Sequence, residues 1–242
     1  SYVYLIILVL SLFGVISLRF YIFYMVAIAV VGSFAIGLNN SPQSLFRRLA
    51  AIILMGLGVT YLGVLNRAGT QFQKYGSLEV AQSTRTALAT SSTVGKVNSG
   101  YGEDVDVSTT EGAISAIPLG VTYLMLAPFP WQIQNFRQAI TLPEMILWWS
   151  SIPLLIMGLW YTVKHRLRSA IGILLFTFML IIVYSIFQGN VGTAYRQRAG
   201  IQVFLFIFIS VGWSLVQEKR EIQAHLKKLN QQKFNKRLQV EV

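Results

Sequence analysis

Long, continuously apolar runs recur along the chain, separated by short polar breaks. A helix that crosses a bilayer needs about 20 mainly apolar residues. Because these runs do not alternate with period two, they indicate helices rather than the strands of a membrane barrel. A shorter apolar run at 113–127 contains Pro118. The pattern predicts an all-α, polytopic transmembrane bundle of six to seven spans, with the clear runs at 2–17, 20–38, 49–65, 143–163, 169–187 and 200–216.

Composition changes this picture little but excludes other classes of protein. Hydrophobic residues make up 54% of the 242 residues and charged residues 12%, whereas a soluble domain has about 25% charged residues. An ordinary soluble enzyme, a disordered tail and a disulfide scaffold are therefore excluded. The absence of cysteine excludes thiolate metal sites and cysteine nucleophiles. Ser1 begins directly inside an apolar run, so we expect a C-terminal part of a longer membrane protein.

The polar stretches divide the chain into four regions. The expected organisation is three spans in 1–65, a polar Ser/Thr/Gly-rich loop at 66–112, a transmembrane half at 113–216 with outer-face loops 128–142 and 188–199, and a basic tail helix at 217–242. Lysine and arginine are retained on the cytoplasmic side of membranes, so the tail predicts a cytoplasmic C-terminus. Nucleic-acid binding by the tail is the less favoured interpretation.

The run at 113–127 leaves the topology open. If it crosses the bilayer, loop 66–112 is cytoplasmic and more of the lysines and arginines lie inside, which is the favoured arrangement. If it is re-entrant, all of 66–142 lies outside. Arg47 and Arg48 favour this second arrangement.

The loop at 188–199 carries the most informative polar residues. Arg196 and Arg198 lie on a face that is normally poor in cations, so they indicate an anionic partner. A guanidinium group matches a phosphate bidentately. Asn190 and Gly192 allow a tight turn whose N–H groups bind the same anion. The alternative is that both arginines anchor the chain to lipid headgroups.

Two further segments of the same predicted face are candidates. The Pro-Phe-Pro-Trp motif at 128–131 gives either a helix stop with interfacial aromatic rings or a rigid rim on which Trp131 stacks against a sugar. Glu144 follows Pro143 at the start of a span, which is ordinary chemistry for a helix N-terminus. The alternative makes Glu144 a general base.

Taken in order, these motifs resemble a known group of proteins. The motifs are Pro-Phe-Pro-Trp at 128–131, Leu-Pro-Glu at 142–144 and Gly-Asn-Val-Gly-Thr-Ala-Tyr-Arg-Gln-Arg at 189–198. The chain resembles the C-terminal half of bacterial polytopic proteins encoded with exopolysaccharide genes. Those proteins are similar to oligosaccharide-repeat-unit polymerases and O-antigen ligases. The resemblance covers roughly residues 60–216.

The resemblance implies a glycosyltransferase-type enzyme of the bacterial inner membrane. Its donor is a polyprenyl-diphosphate-linked glycan, used at the outer face in exopolysaccharide or O-antigen synthesis, with no metal and no other cofactor. Glu144 is then the candidate base. The implied substrate-binding residues are Arg137, Trp131, Asn190, Thr193, Tyr195, Arg196 and Arg198.

The expected partners are the lipid bilayer, the lipid-linked glycan and other membrane subunits, and not nucleic acid. A non-catalytic subunit of a larger membrane complex is the alternative function. It rests on the tail and on the many aromatic residues in the spans. A channel is less favoured, because the spans lack the acidic residues that usually mark an ion path.

Overall fold

In the computed structural model, the residues that are described are 2–18, 20–36, 50, 53, 57, 60–61, 63–90, 100–102, 104–133 and 136–240. They form helices and connecting turns. Gly100 and Asn190 form an isolated β-bridge, and these residues contain no strand. The all-α prediction is confirmed for this part of the chain.

The helices follow the predicted apolar runs and add several in the polar region. In chain order they are α1 (Tyr2–Leu18), α2 (Phe20–Ile36), α3 (Val64–Tyr75), α4 (Leu78–Thr90), α5 (Thr110–Leu126), a 3₁₀ turn (Pro130–Gln132), α6 (Phe136–Ala139), α7 (Leu142–His165), α8 (Leu167–Phe187) and α9 (Val191–Val240). The region predicted as loop 66–112 thus contains α4 and most of α3. The predicted span at 49–65 falls mostly outside the described residues.

Three of the described helices are long and apolar enough to cross a membrane. They are Leu142–His165, Leu167–Phe187 and, within α9, Val191–Gln232. They contain the predicted spans 143–163, 169–187 and 200–216. Their side chains are apolar on almost every face. A helix that is apolar all round is typical of a membrane span, where one face packs on other helices and the other faces lipid. The structure therefore fits a helical membrane protein.

Helix α9 is much longer than its apolar run. Its 50 residues extend about 75 Å at 1.5 Å per residue, against a hydrocarbon core of about 30 Å. The tail predicted at 217–242 is the continuation of this helix as far as Val240, and its described side chains are exposed beyond Gln217. The predicted loop 188–199 is also helical from Val191 onward.

Small residues allow α7 and α9 to approach closely. A Cβ atom on Gly158 would lie 1.8 Å from the carbonyl oxygen of Phe208, and one on Gly212 would lie 2.1 Å from that of Leu154. Glycine at such positions permits the backbone contact that stabilises helix pairs in lipid. The two helices run parallel, and α8 returns between their ends in the opposite direction.

Helix α2 packs antiparallel to α8. Tyr21, at its start, shares a hydrogen bond with the hydroxyl of Tyr184 near the end of α8 (3.2 Å). At its other end, Ser33 lies against Gly172. The start of α2 therefore lies at the end of the bundle where α8 passes into α9 through 188–190. We call this the loop end.

Helix α5 has both of its ends near the loop end. Its first turns, at Ala113 and Ala116, pack with Ile186 and Phe187 at the end of α8. Its last carbonyl groups meet Arg198, which lies seven residues, or about 10 Å, along α9 from its start. A full crossing needs about 30 Å. Both ends of α5 therefore lie toward the same end of the bundle, while the crossing and the re-entrant topologies both stay predictions.

Candidate functional site

The start of α9 is organised by Asn190. Its side-chain oxygen accepts the backbone N–H groups of Gly192 (2.8 Å) and Thr193 (3.4 Å). The Thr193 hydroxyl donates to the Asn190 carbonyl (2.9 Å). This is an N-cap, which satisfies N–H groups that a helix start leaves unpaired. Asn190 and Thr193, predicted to bind substrate, thus form the cap, and the Gly192 N–H, predicted to bind an anion, is already used.

Arg196 and Arg198 lie on different faces of α9. Residues two positions apart on a helix are separated by about 200° around its axis. Arg196 is exposed, and its Nε donates to the Gly192 carbonyl (3.2 Å). Arg198 has no exposed surface. The structure therefore does not bring the two guanidinium groups together on one anion.

The guanidinium of Arg198 holds the C-terminal end of α5. Its Nη1 donates to the carbonyl oxygens of Ala127 (2.5 Å) and Met125 (3.3 Å), and its Nη2 contacts the sulfur of Met145 (2.7 Å). The Tyr195 ring covers it, with the ring centre 4.9 Å from Cζ. A cation suits the partial negative charge at a helix C-terminus. Arg198 is thus a clamp between α5, α7 and α9.

Two tryptophans of α7 bind the same end of α5. The indole N–H of Trp148 donates to the Met125 carbonyl (2.7 Å) and that of Trp149 donates to the Leu126 carbonyl (3.1 Å). Trp148 is almost fully buried. The carbonyl groups that end α5 therefore have indole donors from α7 and a guanidinium donor from α9.

Glu144 and Tyr195 form the polar pair that faces solvent at this end. The Tyr195 hydroxyl donates a short hydrogen bond to Oε2 of Glu144. Glu144 is exposed in the first turn of α7, near the N-terminal end of that helix. The remaining lone pairs of the carboxylate are accessible. The pair joins a carboxylate, a phenol and, behind the ring, the buried Arg198.

A row of four aromatic rings leads from the interior to Trp131. Tyr101 stacks on Tyr123 (4.2 Å between ring centres), Tyr123 meets Phe129 edge-on (5.7 Å), and Phe129 stacks on Trp131 (5.0 Å). Tyr101 is 5% exposed and Trp131 is 78% exposed. Trp131 thus has an exposed ring that is held in place by stacking on Phe129. No hydrogen bond or ring contact among the described residues joins it to Glu144.

The remaining predicted site residue, Arg137, lies in the short helix α6. The backbone of α6 is described, whereas the Arg137 side chain lies outside the described residues. Its predicted role in binding the diphosphate stays a prediction.

A second buried arginine, Arg85 on α4, was not among the predicted site residues. It is 3% exposed. Its Nη1 donates to the carbonyl oxygens of Ile186 and Gln188 (both 3.0 Å), at the end of α8, and its Nη2 donates to that of Gly102 (3.4 Å). The Tyr101 ring centre lies 5.6 Å from its Cζ. Arg85 fixes α4 and the segment 100–102 to the loop end.

Burial shifts the pKa values of both Arg85 and Tyr101. It lowers the pKa of the Arg85 guanidinium, an effect that the neighbouring Tyr101 opposes. It raises the pKa of the Tyr101 hydroxyl to about 12, although Arg85 acts in the opposite direction. The hydroxyl of Tyr101 has no partner within the described residues. The neutral phenol is therefore the form that this buried position favours.

A sequence signal for Arg85 does exist. Ala81, Arg85 and Ala89 are spaced by four residues and are all buried, so they form one face of α4. An arginine on a helix face otherwise made of alanine indicates a buried partner. The signal was missed because 66–112 was interpreted as a loop, where helical spacing has no meaning.

The acidic stretch before α5 serves the start of that helix. Asp106 accepts the backbone N–H of Ser108 (2.9 Å), and these contacts with Ser108 lower the pKa of its carboxyl. The Thr109 hydroxyl accepts the N–H of Gly112 (3.1 Å) as an N-cap. Among the described residues, no group of three histidine or acidic side chains is arranged to hold a metal ion. Glu103 lies outside that part of the chain.

No family model, curated protein or solved structure matches this chain. The candidate site is therefore defined by its geometry alone: an exposed carboxylate bonded to a phenol, an exposed arginine two residues before a buried one, and an exposed tryptophan stacked on Phe129.

Proposed function

We propose that the chain is a multi-pass protein of the bacterial inner membrane that transfers glycan from a polyprenyl-diphosphate carrier. It would act as a polymerase or ligase in exopolysaccharide or O-antigen synthesis. The observation that supports this most is the hydrogen-bonded pair of Glu144 and Tyr195. The pair lies at the loop end, and the exposed Arg196 follows Tyr195 in the sequence. In the proposal, the pair supplies the base and Arg196 supplies the cation.

The proposed orientation places the loop end outside and the tail of α9 in the cytoplasm. The turn between α7 and α8, with Lys164, Arg166 and Arg168, is then cytoplasmic, as the distribution of cations in membrane proteins favours. Arg85 and Arg198 would lie on the outer side, but both are buried on backbone carbonyl groups. They therefore do not oppose this orientation as loop cations would. In this topology α5 is re-entrant, and the membrane is crossed by six helices.

Single cysteines test this orientation directly, because the chain has none of its own. Glu79→Cys lies on the exposed face of α4 and Ser169→Cys on the exposed start of α8. In intact cells, an impermeant maleimide should label the first and not the second, and permeabilised cells should label both. Labelling of the second alone would reverse the proposed orientation.

In the proposed reaction, Glu144 is the general base. The acceptor hydroxyl attacks the anomeric carbon of the donor sugar, and its proton passes to the Glu144 carboxylate. The bond from that carbon to the carrier phosphate oxygen breaks, and its electron pair stays on the leaving diphosphate. Arg196 stabilises this charge. Arg198 does not touch substrate; it acts through the Tyr195 ring, whose hydroxyl orients Glu144.

Removal of the base or the cation should shorten the polymer without removing the protein. Loss of a general base typically costs about 10²–10⁴ in rate, so we expect Glu144→Gln to abolish long chains. Arg196→Ala should do the same. Both side chains are exposed, so membrane abundance should stay normal.

The matched control is Arg220→Ala, which removes an exposed arginine from the distal part of the same helix. It should leave the length distribution of surface polysaccharide unchanged. Long chains at normal length in Arg196→Ala, with the protein at wild-type abundance, would refute the assignment of Arg196.

One observation favours the second candidate function, a non-catalytic subunit of a membrane complex. Ile222, Leu226 and Leu229 are exposed along one side of the α9 extension. Such a stripe suits a partner helix. This function predicts stoichiometric co-purification with a larger complex after mild solubilisation. Recovery of the chain only as a free species would count against it.

A further inference from the structure

A cavity of about 680 Å³ lies between α2, α3, α4, α8 and the first turns of α9. Cavities that bind small molecules in proteins measure about 300–1,000 Å³. Its walls are aromatic and aliphatic side chains, including Tyr24, Met25, Ile28, Phe72, Phe178 and Ile182. From Phe178 to Gln188 the α8 wall extends about 15 Å along the helix axis. The cavity is therefore large enough and long enough for an elongated apolar ligand.

Two primary amides line the cavity, and the side-chain oxygen of one of them has no hydrogen-bond partner among the described residues. Gln188 is 6% exposed, and its Oε1 is buried without a donor. Gln197 is half-buried and lines the same cavity. A buried amide without a partner is unfavourable, and most such groups in proteins are paired. The unpaired oxygen of Gln188 thus indicates a ligand that donates a hydrogen bond.

The described residues of the wall include no charged side chain. The lining residues include neither acid nor base, so a carboxylate or phosphate placed there would lack a counter-ion and lose its hydration. A hydroxyl group carries no charge, donates one hydrogen bond and accepts others. It therefore suits both the unpaired oxygen of Gln188 and the amide N–H groups.

We propose that this cavity binds a long-chain alcohol. The hydrocarbon chain lies along the wall formed by α2, α3 and α8, and the hydroxyl group lies between Gln188 and Gln197. The ligand enters from the lipid, where such amphiphiles dissolve. This assignment stands independently of glycan transfer, because the cavity contains neither Glu144 nor Arg196.

The test uses the full chain in detergent micelles and a hexadecanol probe with a photoreactive diazirine on its hydrocarbon chain. After irradiation, mass spectrometry of the peptides should place the label on α2, α3 and α8. Unlabelled hexadecanol should compete about tenfold better than hexadecane or palmitate, because only the alcohol pairs the amides without burying a charge.

Two variants on α8 with matched side chains locate the binding. Ile182→Trp fills the cavity, whereas Ile173→Trp places the same side chain on an exposed position of the same helix. We expect the first to lose labelling and the second to keep it. Equal labelling of both variants, spread over the lipid-facing surface, would overturn the proposal.

Gln188→Leu tests the polar end separately and holds even if the tryptophan variant fails to fold. It should keep the cavity and its labelling but remove the advantage of hexadecanol over hexadecane, a loss of about tenfold. Hexadecane competing as well as hexadecanol against the wild-type protein would contradict the proposed class of ligand.

Discussion

Arg85 and Arg198 are buried at the same end of the molecule in similar surroundings. Only Arg198 lies against a tyrosine whose hydroxyl donates to an exposed carboxylate. Each is almost fully buried and donates to carbonyl oxygens at the C-terminal end of a helix, α8 for Arg85 and α5 for Arg198. A tyrosine ring covers each guanidinium, at 5.6 Å and 4.9 Å. Each buried cation thus has carbonyl acceptors and an aromatic ring, and no carboxylate of the described residues contacts it directly. The Nε of each arginine has no partner among these residues.

The two tyrosines distinguish the clamps. The Tyr101 hydroxyl is buried without a partner among the described residues, whereas the Tyr195 hydroxyl donates to the exposed Glu144. Arg85 therefore holds α4 to the loop end, and its contacts among the described residues are with backbone carbonyl groups and the Tyr101 ring. Arg198 has the same structural role but also packs against the Tyr195 ring, whose hydroxyl donates to the exposed carboxylate of Glu144. A buried arginine can thus belong to a candidate site without touching substrate.

Removal of Arg85 should have the largest effect on stability. Arg85→Ala leaves the carbonyl groups of Ile186 and Gln188 without their donor and opens a space in the interior. Each unsatisfied buried group costs about 1–3 kcal/mol, so we expect a loss of about 3 kcal/mol. The measurement is the thermal unfolding midpoint in detergent. Arg196→Ala is the control. A midpoint that falls equally in both variants would contradict the role of Arg85 in holding α4 to the loop end.

Removal of Arg198 should destabilise the protein less. Arg198→Ala leaves Met125 with the Trp148 indole as donor, so the loss is expected to be about 2 kcal/mol. The same melting experiment measures it. In contrast to Arg85→Ala, the folded fraction should show shortened surface polysaccharide. Polymer of full length from the folded protein would confine Arg198 to a purely structural role.

Loss of the Tyr195 hydroxyl should change the orientation of Glu144 with little effect on the stability of the fold. Tyr195→Phe keeps the ring over Arg198 and removes one partly exposed hydrogen bond to Glu144. We expect a change in unfolding free energy below about 1 kcal/mol, together with shorter polymer. Tyr101→Phe is the matched control in the other clamp and should leave polymer length unchanged. A Tyr195→Phe variant that makes normal polymer would argue against the orientation of Glu144 by this bond.

The last effect concerns the ionisation of Tyr101 and appears only at high pH. Its pKa rises from 10.0 to about 12 in the fold, so the fold favours the neutral phenol. This contribution to stability is complete below pH 10 and is lost as the pH rises through about 12. The melting midpoint of the wild-type protein should fall more steeply over this window than that of Tyr101→Phe. Parallel pH profiles would show that the buried hydroxyl does not titrate there.

The long apolar helices could be predicted from sequence because lipid imposes one simple requirement on them. Helices α7, α8 and the first part of α9 follow continuous apolar runs whose length matches a bilayer. The short helices α3 and α4 could not be predicted in this way, because they are not long apolar runs. For 113–127, hydropathy alone did not decide between a crossing and a re-entrant helix, which depends on tertiary contacts at both ends.

The candidate site was predictable in its residue types but not in its arrangement. Glu144 and Tyr195 are 51 positions apart, and only the parallel packing of α7 and α9 joins them. The spacing of Arg196 and Arg198 already implies different helix faces, but this inference required knowing that α9 begins at Val191. The cap formed by Asn190 gives a local signal for that start, because asparagine is a preferred N-cap residue.

The most direct test of the difference between the clamps replaces each buried arginine by lysine. Lysine keeps the charge but lacks the planar fork of donors. The measurement is the length distribution of surface polysaccharide from Arg85→Lys and Arg198→Lys, compared at equal amounts of membrane-inserted protein. We predict shorter chains from Arg198→Lys and wild-type chains from Arg85→Lys. Equal shortening in both, or none in either, would contradict the separate roles of the two arginines.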